Sequence, residues 1–265
     1  MTSAPPPSPY VPVAARVRTA LYGGLLFAGG EALRVVLTEN ATAAVIAPAV
    51  IAEWGAGRLG VSWSNPLEPM PSLADNARRL GRGAAIGLLG ASVILGVALL
   101  AKDVTIVPQA PALADALLGI VTPLFVALRH ELLAHGVVLR LLLGTKSRLL
   151  QTVVLSLASV AYAWGQGAAA PALPMALALG LVTSTLYVKD RGGFRALGVH
   201  ATWLYATQVL FRGGLLDVRP AGGRFTGAAG VLGGSWAAGA IMCAVALLGI
   251  GLMTFPAMRQ KRALP

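Results

Sequence analysis

Apolar residues in this chain fall in long continuous runs rather than in an alternating pattern. The runs predict helices near residues 14–38, 41–58, 73–101, 148–166, 170–188, 194–211 and 233–257, with a further apolar stretch over 111–143. Each run is close to the ~20 residues that cross a bilayer. The 111–143 stretch is too long for one straight span, because at ~1.5 Å per residue it would measure about 50 Å. Pro123 predicts a break after Thr122, since proline lacks an amide donor and clashes with the preceding turn. Ser72-Leu73-Ala74-Asp75 predicts a capped start to the third helix, and Arg78, Arg79 and Arg82 place its first turns at an interface. The pattern predicts an all-α, polytopic membrane bundle of about eight transmembrane helices.

Composition supports that class. The 265 residues are 56% hydrophobic and 12% charged, with a mean hydropathy of +0.74. A soluble fold needs charged side chains to cover its outside, and lipid removes the need. The 32 glycines fit as well, because small residues let membrane helices approach closely.

A net charge of +11 invites a nucleic-acid reading. The basic residues argue against it, since they punctuate the ends of apolar runs. With the N-terminus inside, fifteen Lys and Arg fall on the inner side. Five fall outside (Arg34, Lys102, Arg212, Arg219 and Arg224), and Arg129 lies within a span. That bias orients both termini to the cytoplasm. The expected partners are membrane lipid and another membrane protein, with no nucleic acid, and the expected location is a bacterial inner membrane. Residues 1–13 read as a Pro-rich cytoplasmic tail without signal-peptide features, 14–257 as one transmembrane domain and 258–265 as a basic cytoplasmic tail. The segment 212–232 reads as a Gly-rich external loop. The single cysteine, Cys243, excludes an intrachain disulfide or a thiolate metal site.

Ionisable residues within membrane segments are costly and mark candidate sites. Glu31 and Arg34, three apart, read as an ion pair near the outer interface. Glu53 reads as interfacial, near Arg58. All three histidines, His130, His135 and His200, fall in apolar segments, and two of them flank Glu131. His130-Glu131 with His135 resembles a zinc-binding helix, but the histidines are five apart instead of four, about 140° around an ideal helix. Glu131 and His135, four apart, share a face. A metal site of Glu131, His135 and His200 is one reading, and an interhelix hydrogen-bond cluster is the other. No cofactor is required by the spacing.

Three segments carry a family resemblance. His130-Glu131-Leu132-Leu133-Ala134-His135 followed by Gly136 resembles the Glu-Glu-x-x-x-Arg-Gly motif of the CPBP family. That family includes the type II CAAX-prenyl endopeptidases and bacteriocin-processing or immunity proteins. Tyr162-Ala163-Trp164-Gly165-Gln166 resembles its Phe-x-x-x-His motif, and His200-Ala201-Thr202-Trp203-Leu204 its His-x-x-x-Asn or Asp motif. The lead-in from Gly180 to Lys189 and from Gly193 to His200 is similar too, and the resemblance covers about 75–257.

The resemblance implies an eight-helix membrane bundle in which a glutamate and a histidine activate water. It makes His130, Glu131, His135, Gln166 and His200 the candidate catalytic set. Only Glu131 and His200 keep the family's residue. Histidine replaces the first glutamate and the arginine, glutamine replaces the second-motif histidine, and Leu204 replaces the last polar residue. The expectation is therefore a degenerate site in a non-catalytic subunit or partner-binding protein of a membrane complex. The alternative is an intramembrane endopeptidase with altered catalytic residues.

Overall fold

The computed structural model describes residues 12–64, 71–108, 110–227, 230 and 232–262, with side chains described as far as 252. Most of the expected 1–13 tail, and the side chains of the expected 258–265 tail, lie outside the described residues. The elements in chain order are α1 (Val13–Val36), α2 (Ala41–Arg58), α3 (Leu73–Leu100), β1 (Val104–Val107), α4 (Leu113–Leu118) and α5 (Val121–His130). A π-helical turn (Glu131–Val137), α6 (Val138–Leu141), α7 (Arg148–Gly165), α8 (Leu173–Asp190) and α9 (Phe194–Tyr205) follow. A second π turn (Ala206–Leu210), β2 (Asp217–Pro220) and α10 (Trp236–Arg262) complete the order.

The helices lie where the apolar runs place them, because run length and flanking Gly, Pro and cap residues are local signals. Ser72 caps α3 as its sequence predicts. Its Oγ accepts from the Asp75 amide at 3.1 Å and donates to Asp75 Oδ2 at 2.7 Å. The long 111–143 stretch is interrupted, but at Gly119 and Ile120 instead of after Thr122. Pro123 sits in the first turn of α5, where a missing amide forfeits no helical bond.

Among the described residues, three helical segments are long and apolar enough to cross a membrane: Leu73–Leu100, Leu113–Leu141 and Ala170–Asp190. Trp236–Leu252 is a shorter apolar helix. Large apolar side chains such as Leu25, Leu89, Leu149 and Leu248 point outward and stay exposed. This is an all-α membrane fold.

Close helix approach organises the core. A methyl group at Gly83 would overlap the Arg195 carbonyl, one at Gly87 the Val199 carbonyl, and one at Gly198 the Leu80 carbonyl. Side chains at these three places would push α3 and α9 apart. The apolar core around them runs from Ala91 and Ile94 through Met175 and Trp203 to Met242, with Leu204 packed against it.

The sequence reading missed one two-stranded sheet. β1 pairs antiparallel with β2, Val104 opposite Pro220 and Val107 opposite Asp217, so part of the expected 212–232 loop is strand. Asp103 fixes this region. Its buried carboxylate accepts from the amides of Arg224 at 2.9 Å and Phe225 at 2.7 Å.

Candidate functional site

The site forms where α5 passes into the π turn and meets α7, α8 and α9. In the π turn each amide bonds to the carbonyl five residues back, so residues five apart come closer in angle than on an α-helix. This corrects the angular expectation for His130 and His135. Their rings meet edge to face at 5.9 Å between centroids instead of diverging by 140°. Gly136 allows the turn to sit close to its neighbours, since a Cβ there would strike Val61 Cγ1 at 2.5 Å.

Glu131 is the hub, with both of its oxygens engaged and no solvent exposure. Oε2 lies 2.5 Å from His135 Nδ1, and Oε1 lies 2.9 Å from His200 Nδ1. The other nitrogen of His135, Nε2, faces Ser159 Oγ of α7 at 2.8 Å and Ser184 Oγ of α8 at 3.2 Å. Buried polar groups in an apolar interior must be partnered in this way, and His135 and Glu131 are fully satisfied.

His130 differs from the other two histidines. It is half-buried, and its ring nitrogens have no hydrogen-bond partner among the described residues. Its ring packs 4.5 Å from the His200 centroid and 4.5 Å from the Tyr162 centroid. His130, Glu131 and His200 each offer one ligand atom, and these lie within 4.8 Å of one another. Two histidines and a carboxylate form a donor set suited to a zinc-type ion with an open position. The set differs from the expected Glu131, His135 and His200 in that His130 takes the place of His135, whose Nε2 faces Ser159 and Ser184.

Gln166 does not join this centre. Its side-chain amide donates to Glu31 Oε1 of α1 and lies 3.4 Å from the Tyr162 hydroxyl. The same Glu31 oxygen pairs with Arg129 Nη1 at 2.9 Å, and Glu31 Oε2 pairs with Arg34 Nε at 2.8 Å. The expected Glu31–Arg34 pair is thus present but belongs to a larger cluster that includes Arg129. That arginine is buried, with Nη2 donating to the Phe27 carbonyl at 3.3 Å. Glu53 accepts from the Trp63 indole, and the guanidinium of Arg58 covers Trp54.

Of the five candidate residues, four meet: His130, Glu131, His135 and His200. Gln166 is tied to α1, and Leu204 packs against the apolar core. Sequence reasoning missed Ser159 and Ser184. A serine in an apolar helix ordinarily bonds a carbonyl of its own helix, as Ser156 does to Thr152 at 2.7 Å, so neither stood out.

Residues 111–206 match the family model described as type II CAAX prenyl endopeptidase Rce1-like. This stretch carries all five candidate residues and lies inside the 75–257 region of resemblance. The likeness drawn from the three motifs is shown over that segment. No curated protein matches the chain, and no solved structure matches it.

Proposed function

We propose that the chain is an intramembrane hydrolase of the type II CAAX prenyl endopeptidase kind, with a rebuilt centre in which His130 activates water. The single observation that carries this is the contrast between His130 and Glu131. Glu131 has both oxygens occupied by histidines, whereas His130 has no hydrogen-bond partner among the described residues and is partly open. A general base needs a free lone pair within reach of water, and His130 is the one of the four with neither ring nitrogen hydrogen-bonded among the described residues, while His200 has its Nδ1 held by Glu131. Glu131 then serves as a positioning residue that fixes His200, whose ring abuts His130. The match over 111–206 and the apolar helices support a membrane-embedded substrate.

A bundle of about eight spans in an inner membrane, with both termini inside, belongs to the same reading, supported by the Lys and Arg bias. If a zinc-type ion binds, His130, Glu131 and His200 would hold it, and it would supply an acidified water.

Cleavage of a membrane-embedded peptide by the full chain in lipid nanodiscs tests the reading. His130→Ala is expected to lower the rate by about 10²- to 10⁴-fold, the usual yield of general-base catalysis. Undiminished cleavage in that variant, or none by the unmodified chain, overturns it.

A second reading, a non-catalytic subunit of a membrane complex, is favoured by Gln166. The residue at the family's histidine position is held by Glu31, and Leu204 supplies no polar contact. Co-purification of a stoichiometric membrane partner, together with absent cleavage, would favour this second reading.

A further inference from the structure

His135 is held as the histidine of a serine hydrolase is held. One nitrogen faces a carboxylate at 2.5 Å and the other a serine hydroxyl at 2.8 Å. With Nδ1–H donated to Glu131, Nε2 keeps its lone pair and faces two hydroxyls, Ser159 and Ser184. One lone pair takes one good hydrogen bond, and the shorter contact assigns that role to Ser159.

Neither serine belongs to the three family motifs, and His135 stands where the family has an arginine, which cannot accept a proton. Nor is the arrangement what other hydroxyls of the same helices do. Ser156, Thr183 and Thr185 each donate to the carbonyl four residues back. Ser184 has His135 as its one hydrogen-bond partner among the described residues, and Ser159 lies nearer to His135 than to its own backbone acceptor, Leu155 O at 3.3 Å.

An apolar cleft lies beside the pair, which is walled off from it. A cleft of about 340 Å³ runs between α1, the π turn and α7, lined by Gly23, Phe27, Leu133, Ala134, Ala158 and Tyr162 among others. Ala134 and Ala158 are the chain neighbours of His135 and Ser159, and the lining is almost wholly apolar. Ser159 and His135 themselves are at most 1% exposed, so the cleft wall at Ala134 and Ala158 has to part before an ester reaches them. A hydrocarbon chain fits such a cleft, and a soluble polar molecule does not.

The geometry points to Ser159 as the nucleophile of a Ser159–His135–Glu131 triad that acts on carboxylic esters bearing a hydrocarbon chain and entering from the lipid. Ser159 Oγ bonds to the ester carbonyl carbon while its proton passes to His135 Nε2. The ester C–O bond breaks, and the alcohol leaves with that proton. Water that enters through the parted cleft as the alcohol leaves gives a proton to His135 and attacks the acyl-serine, and that proton returns to Ser159 Oγ as the acid is released. Ser184 Oγ, beside the same nitrogen, is placed to donate to the oxyanion. The triad goes beyond the water-activating reading and uses the opposite oxygen of Glu131 from the one that holds His200.

The test is covalent labelling of the full chain in lipid nanodiscs by a long-alkyl fluorophosphonate, read by intact mass and peptide mapping. The expected result is one adduct, on Ser159, absent in Ser159→Ala, still on Ser159 but formed more slowly in Ser184→Ala, and at least about 100-fold slower in His135→Ala. Thermal melting of each variant checks that it is folded. Absence of an adduct on the folded, unmodified chain overturns the proposal, as does an adduct that persists in Ser159→Ala. Labelling reads Ser159 and peptide cleavage reads His130, so the two readings fail separately.

Discussion

The side-chain amide of Gln166 donates to the carboxylate of Glu31, 135 residues earlier in the chain. This bond ties the residue at a family motif position to α1, which lies outside the 111–206 match. Through Arg129, the same carboxylate anchors α1 to α5. An element beyond the matched segment thereby holds both Gln166 and Arg129, the chain neighbour of His130.

Breaking this anchor should destabilise the fold. Glu31→Ala leaves the Arg129 charge buried without its carboxylate, at a cost of about 3 kcal/mol, the lower end for a broken buried pair because Glu31 keeps some exposure. Replacing both together, Glu31→Leu with Arg129→Met, should cost less than Glu31→Ala alone. Thermal melting of the single and double variants in detergent measures the difference. Equal losses would show that the pair carries no weight.

The α3–α9 contact makes a contrast between glycines testable. Gly83→Ala or Gly87→Ala drives a methyl into a backbone carbonyl and should cost about 1–3 kcal/mol. Gly81→Ala and Gly96→Ala meet nothing within 4 Å and should be neutral or stabilising by up to about 1 kcal/mol. Melting temperatures of the four variants compare them directly.

Asp103 should govern the order of the segment after β2. Asp103→Ala leaves the amides of Arg224 and Phe225 without their acceptor, and each bond to a charged acceptor contributes about 1.5–3 kcal/mol. Faster proteolytic nicking within 221–235 is expected, with Asp103→Asn intermediate because it keeps one side-chain oxygen. Unchanged nicking in Asp103→Ala would remove Asp103 from this role.

Orientation can be read with single cysteines. Cys243 is the native thiol and lies 3.3 Å from the Pro174 carbonyl, a contact that Cys243→Ser can keep. In that background, Lys146→Cys should react with a membrane-impermeant maleimide only from the cytoplasmic side, and Lys102→Cys only from the other. The reverse pattern would invert the proposed topology.

The sequence by itself determined where the helices lie and what solvent they face. A run of apolar residues about one bilayer long, ended by Gly, Pro or a cap such as Ser72, carries that information locally. It also pointed to Glu131, His135 and His200, since ionisable groups in such runs need partners. Only the tertiary structure decided who those partners are. Rotation of α7 about its axis sends Gln166 to Glu31 and Ser159 to His135, and no local pattern encodes that angle. The π turn brings His130 to His135 by changing the bonding from i→i+4 to i→i+5, which an ideal-helix projection cannot anticipate. β1 and β2 pair across more than a hundred residues, and two four-residue segments acquire strand character only from each other.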